Sequence, residues 1–282
     1  MKSRIVSMLA IVGLLFFAAA IVRQTQVISP DAEGERSFGP PGGSRSPVLI
    51  ELFTSEGCSS CPPADEVLSR LDKMQPVPGA EVIALSEHVD YWNRLGWSDP
   101  YSSADFSRRQ GQYADAFRID GNYTPQMIVD GQAEFVGSNM GKARDAIMKA
   151  AQAAKATVQI TRVGDSSEGR AGTVPLQVRV ENTPPVGGGD TVEVLLAITE
   201  DNLRSNVLRG ENGGRLLKHT AVVRRLTVIG RMSPTEGTAF NAEATANLVN
   251  GWRRENLRAV VFVQERESRR VLGASAIRLA GE

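Results

Sequence analysis

Apolar positions along the chain fall into three textures. The first is an unbroken uncharged run from Ile5 to Val22, preceded by Lys2 and Arg4 and carrying Ala18-Ala19-Ala20 near its end. A basic start, an apolar core and a small-residue exit describe a secretory signal, and the run is also long enough to stay as a membrane anchor. Residues 1–23 are thus expected to be a signal peptide or an N-terminal membrane anchor, with the basic end in the cytoplasm. Either form exports the rest of the chain to the periplasm or beyond, free or tethered to the inner membrane, and touches the membrane only through this segment. Residues 24–46 are polar and rich in Gly, Pro and Ser, the composition of a flexible linker.

The second texture, residues 47–156, alternates buried-strand runs with helical spacing. "VLIELFT" (48–54) is a β-rich run of the kind buried on both faces of a sheet. Ala64, Val67, Leu68, Leu71 and Met74 then recur on one helical face, and Pro62 and Pro63 suit only the first turn of that helix. "AEVIALSEHV" (80–89) predicts a second buried strand, so a right-handed parallel βαβ unit is expected. A loop with four aromatics (90–103), a helix (103–119), a hairpin turning at Asp130-Gly131 and an Ala-rich helix (139–156) complete the order βαβαββα.

From residue 157 to 282 the texture is short β-patterned runs separated by turns such as "NTPPVGGGD". Seven or so strands without a long helix predict an all-β sandwich-like domain after the α/β domain.

Composition narrows the function. Lysines and arginines equal aspartates and glutamates in number and are interspersed, so the net charge is zero and nucleic-acid binding is disfavoured. No Gly-rich phosphate loop, Gly-x-Ser-x-Gly, His-Glu-x-x-His or Asp-rich calcium loop is present.

The only two cysteines stand together in "FTSEGCSSCPPADEVLSRL" (53–71). Two Cys and two His, His88 and His219, could make a zinc site by arithmetic, but the second histidine lies far along the chain. Placement between a strand and a helix N-terminus favours a thiolate at Cys58, with Cys61, one turn into the helix, to resolve a mixed disulfide. So close a pair gains little loop entropy as a staple. A redox-active pair and a static Cys58–Cys61 disulfide both remain open. His88 is either a copper or zinc ligand or a hydrogen-bonded structural histidine. Trp92, Trp97 and Tyr101 line a substrate groove or pack the loop. "RGENGGRLLKHTAVVRRL" (209–226) reads as a hairpin loop entering a strand, in preference to a ligand site.

"VLIELFTSEGCSSCPPADEVLSRL" resembles the first strand, active-site turn and helix of the thioredoxin superfamily, and "YTPQMIVDG" resembles its cis-proline strand. Together with "HVDYWNRLGWSDPYSS" and "RQGQYADAF", the chain is similar to an exported thioredoxin-like family, domain of unknown function 1223, over roughly residues 47–282. The resemblance implies a thioredoxin-like α/β domain and a cis Thr124-Pro125 bond beside Cys58 whose backbone docks an extended substrate. It also implies a strand carboxylate, Glu51, that helps to move the dithiol's protons; a solvated or capped glutamate is the plain alternative. Gly57 stands where thioredoxins carry Trp, and Ser59 and Ser60 fill the middle of the motif without a proline.

The expected function is thiol–disulfide exchange, without a cofactor, on exported protein thiols or with a redox partner protein. The alternative is a non-enzymatic binding protein: a copper carrier using Cys58, Cys61 and His88, or a scaffold with a structural disulfide.

Overall fold

A computed structural model of the chain describes residues 45–164, 172–233 and 239–280. The signal or anchor expected at 1–23, and nearly all of the linker expected at 24–46, lie outside these residues. Among the described residues, no helix is long and apolar enough to cross a membrane.

The order opens with β1 (Ser46–Thr54), α1 (Pro62–Met74), β2 (Ala80–His88), α2 (Ala104–Phe117), β3 (Gln126–Val129), β4 (Ala133–Val136) and α3 (Met140–Ala150). β5 (Thr157–Arg162), β6 (Thr173–Glu181), β7 (Val192–Glu200), β8 (Leu203–Asn206) and β9 (Leu216–His219) follow. The chain then forms β10 (Val222–Met232), β11 (Phe240–Asn247), β12 (Leu257–Glu265) and β13 (Val271–Arg278).

The expected fold class, a thioredoxin-like α/β domain followed by a β-sandwich, is overturned. One eight-stranded mixed sheet runs β13-β12-β7-β10-β2-β1-β3-β4, so strands from both parts of the sequence share it. β1 and β2 are parallel, and β10 joins the far side of β2 through the single parallel pair Val222↔Ser86. β2 explains why. Eight of its nine residues are buried, including Glu87 and His88, which is the burial of a central strand rather than of a sheet edge. β5, β6 and β11 form a three-stranded sheet that packs over the β7–β12–β13 end.

Local chemistry sets the elements that frame the site. β1 alternates its faces: Val48, Ile50 and Leu52 pack with α1 and α3, whereas Leu49 and Phe53 pack on the opposite side with Phe106 and Tyr113 of α2. Pro62 and Pro63 occupy the first turn of α1. Met74, expected on its apolar face, is instead exposed at the last residue, where the helix ends in a left-handed Gln75. The β3–β4 hairpin turns at Asp130 and Gly131, both with positive φ. A Cβ on Gly131 would lie 1.8 Å from the Arg269 carbonyl oxygen, so only glycine permits this close approach to the β12–β13 connection. α3 stops at Ala150, short of the expected 156.

Candidate functional site

Cys58 and Cys61 are joined in a disulfide, and both are fully buried although Ser59 and Ser60 between them are exposed. Cys61 is the N-cap residue of α1, not a position one turn inside it as the sequence suggested. Its carbonyl accepts from the Ala64 and Asp65 amides, while its sulfur makes no capping hydrogen bond. Ser60 Oγ lies 3.3 Å from Cys58 Sγ. A thiolate formed at Cys58 would therefore have a hydroxyl donor at hand.

The loop ahead of the disulfide is fixed by buried polar groups. The Glu56 amide donates to Asp99 Oδ2 at 2.8 Å, and that oxygen also meets His88 Nδ1 at 2.7 Å. The Glu56 carboxylate accepts from Trp97 Nε1 at 2.7 Å and pairs with His219 Nε2 at 2.9 Å. The two histidine rings stand edge to face, 4.9 Å between centroids, and each is 5.5 Å from the Tyr101 ring. His88 Nε2 and His219 Nδ1 are buried without a hydrogen-bond partner.

A cap from the β8–β9 hairpin completes the enclosure. Buried Asn212 donates from Nδ2 to the carbonyls of Glu56 and Cys58, each at 2.9 Å. Exposed Glu211 accepts from the Ser59 amide at 2.9 Å, and the Ser59 hydroxyl together with that amide lowers its carboxyl below the usual range. Gly210, at φ +77°, allows the cap to pass Trp97: a Cβ there would lie 3.2 Å from Trp97 Cβ. Segment 209–226 thus contains the expected hairpin, and its loop also touches the disulfide turn. Asn212 sits in "GENGG", an ordinary turn composition, so no sequence signal marked it.

Thr124-Pro125 is a cis peptide, as the resemblance implies. Trp92 connects it to the disulfide turn: its Nε1 donates to Thr124 Oγ1 at 2.8 Å, and its Cβ lies where a Cβ on Gly57 would be 3.1 Å away. Gly57 thus gives room to Trp92. The Pro125 carbonyl already accepts from the Gly137 amide, so this docking acceptor has an internal partner.

Glu51 is placed elsewhere. Its Oε1 accepts from Arg109 Nε at 2.5 Å and its Oε2 from the Tyr113 hydroxyl, in a buried network with Glu87 and Gln264. The carboxylate in the first turn of α1, after Cys61, is Asp65, which accepts from Thr54 Oγ1 at 2.8 Å. Burial raises the Asp65 carboxyl despite the pull of His219 and His88. An acid in a first helical turn has the sequence signature of an ordinary dipole partner, and no local signal distinguishes Asp65 from one.

Of the copper alternative's donors, the two sulfurs are bonded to each other in this state; His88 Nδ1 is engaged by Asp99, and its Nε2 has no hydrogen-bond partner. Among the described residues, no group of three or more His, Cys, Asp or Glu has a metal-site arrangement.

Burial by itself depresses His88, but the charge and hydrogen bond of Asp99, with Asp65 and Glu56, outweigh it and leave the imidazole raised. Burial likewise opposes the Asp99 carboxylate, which His88 and the Glu56 and Tyr101 amides hold below its ordinary value. His88 therefore contributes stability fully below the unfolded histidine value of about 6.5, and the contribution is lost as pH rises through the folded value. Urea midpoints of the full-length protein should fall more steeply from about pH 6 to 9 in wild type than in His88→Gln. Equal slopes would remove the coupling.

The fold and site define a mixed-sheet protein with a Cys-x-x-Cys disulfide turn enclosed by a hairpin from later in the chain. Residues 49–264 match the family described as protein of unknown function DUF1223, and the chain belongs to that family. A crystal structure of a protein from Agrobacterium tumefaciens is similar at 24% identity and TM-score 0.65, covering 85% of this chain and 97% of that one. HBP35 of Porphyromonas gingivalis is similar at 15% identity and TM-score 0.59, covering 85% and 77%. These likenesses concern the fold alone. No curated protein matches the chain.

Proposed function

We propose that the protein carries out thiol–disulfide exchange on exported protein thiols through Cys58 and Cys61, from a resting state in which the hairpin cap covers the disulfide. The observation that carries this reading is the disulfide's position at the start of α1, with Ser60 Oγ beside Cys58 Sγ. In the oxidised form a client thiolate attacks Cys58 Sγ. The S–S bond breaks, and its electron pair leaves on Cys61 in the positive field of the helix N-terminus. The client's second thiolate then attacks the client sulfur of the mixed disulfide and releases Cys58 as a thiolate. Two electrons have passed from the client to the pair. In the reverse direction Cys58 attacks a client disulfide and Cys61 resolves it. In this reading Trp92, which packs by Gly57 and holds Thr124, is the wall along which the client would approach, whereas Glu51 belongs to the ion-pair network.

Complete burial of both cysteines favours a second reading, a scaffold with a structural disulfide. Equilibration of the full-length protein with glutathione or dithiothreitol buffers separates the two. A potential of about −120 to −270 mV fits an exchange pair, and one below about −300 mV fits a structural bond. In the first case Cys58→Ser abolishes exchange with a model client.

A further inference from the structure

Between α2 and the β7–β10 part of the large sheet lies a groove of about 1080 Å³, lined by seven arginines against four acidic residues. Several of these charges are already committed: Arg108 pairs with Asp105, and Arg231 with Glu193. Arg224 lies between two aromatic walls, 5.2 Å from the Tyr101 ring and 5.3 Å from the Trp252 ring, with Glu200 at 3.6 Å. Arg225 and Arg266 are different. Both are exposed on the lining, and neither guanidinium has an acidic partner among the described residues. The backbone beside them is also open. β10 pairs along its length with β7, but on its other edge the described residues supply only the Val222↔Ser86 pair.

From this juxtaposition we infer that the groove binds an extended acidic segment of a partner protein. Its carboxylates meet Arg225 and Arg266, its side chains pack against Tyr101 and Trp252, and its main chain hydrogen-bonds to the open edge of β10. Arginines outnumber acidic residues seven to four on the lining, an excess that sets the sign of the ligand even though exposed Asp115 and Glu267 are likewise without a basic partner among the described residues, and the open strand edge selects a chain over a compact anion. The inference does not depend on the redox reading, because no residue of the disulfide turn takes part.

The test is fluorescence anisotropy of a labelled (Glu-Val)4 peptide with the full-length protein in mild detergent, at about 50 mM salt, where charge attraction is little screened. Saturable binding is expected, weakened at least about ten-fold by Arg225→Glu with Arg266→Glu and less strongly by the paired Arg→Gln changes. Alternate N-methylation of the peptide should weaken it to a similar degree, because the strand pairing is lost. The proposal is overturned by absence of saturable binding, by equal binding to the charge-reversed protein, or by undiminished binding of the N-methylated peptide. It is equally overturned if free glutamate or inorganic phosphate displaces the peptide at comparable concentration, since the groove would then take a small anion.

Discussion

Replacing Arg109 by leucine is expected to lower the unfolding free energy by about 3–5 kcal/mol, the usual cost of stranding a buried charge partner. Arg109 is nearly inaccessible, and its guanidinium is the cation paired directly with two buried carboxylates, Glu51 at 2.5 Å and Glu87 at 3.5 Å, with Arg269 a weaker influence on Glu87. It also donates to Tyr113 and to Gln264, and it lies over the rings of Tyr113 and Phe262. Burial and the neighbouring Glu51 already push the Glu87 carboxyl well above its normal range, against the pull of Arg109. Without Arg109 the Glu87 carboxyl is pushed further up in the fold while ionising freely in the unfolded chain. The fold then binds more protons than the unfolded state above about pH 4.3, so stability falls as pH rises. The loss should be larger at pH 8 than at pH 5, and Glu51→Gln with Glu87→Gln in the same background should recover part of it. Urea unfolding at the two pH values checks this. A loss below about 1 kcal/mol would mean that the network relaxes or hydrates without cost.

Asn212→Ala should make the disulfide react far faster with an external thiol. The side-chain amide serves two buried carbonyls, those of Glu56 and Cys58, and deleting it strands both. Each lost bond costs about 1–3 kcal/mol in the closed state, and every 1.4 kcal/mol multiplies the open population about ten-fold. Reduction by dithiothreitol, followed by alkylation and mass analysis, should accelerate at least ten-fold, on the order of the smallest loss. Glu211→Ala is the control: its acceptor bond to the Ser59 amide is exposed, so a much smaller change is expected. An unchanged rate in Asn212→Ala would show that a thiol reaches the sulfurs without displacing the cap.

What could be read from the chain was the part written in local periodicity. α1 follows from apolar spacing at Ala64, Val67, Leu68 and Leu71 with prolines at its start, and the hairpin turn follows from Asp130-Gly131. The strands of the second part were legible as β-patterned runs, but their partners were not. β10 carries arginines and exposed valine along an alternating pattern, and nothing in that pattern says that its first residue pairs with Ser86. The near-continuous apolar run of β2 held a hint, because a strand hidden on both faces also needs neighbours on both edges. In the site, Trp92 links the disulfide turn at Gly57 to Thr124, whereas Glu51 faces α2. One residue of register decides this, since adjacent strand positions point to opposite faces. Asn212 and His219 lie more than 150 positions from their partners in the disulfide turn, beyond the reach of any local pattern.

The hairpin cap also bears on how such a chain can change over generations. The carbonyls of Glu56 and Cys58 complete their hydrogen bonding with an amide encoded far downstream, and the Asp130 carbonyl is met by the Val271 amide. The disulfide turn is therefore not a cassette that can be moved to another scaffold with its properties intact. Drift in the later strands alters how the sulfurs are enclosed, even when every residue around the two cysteines stays the same.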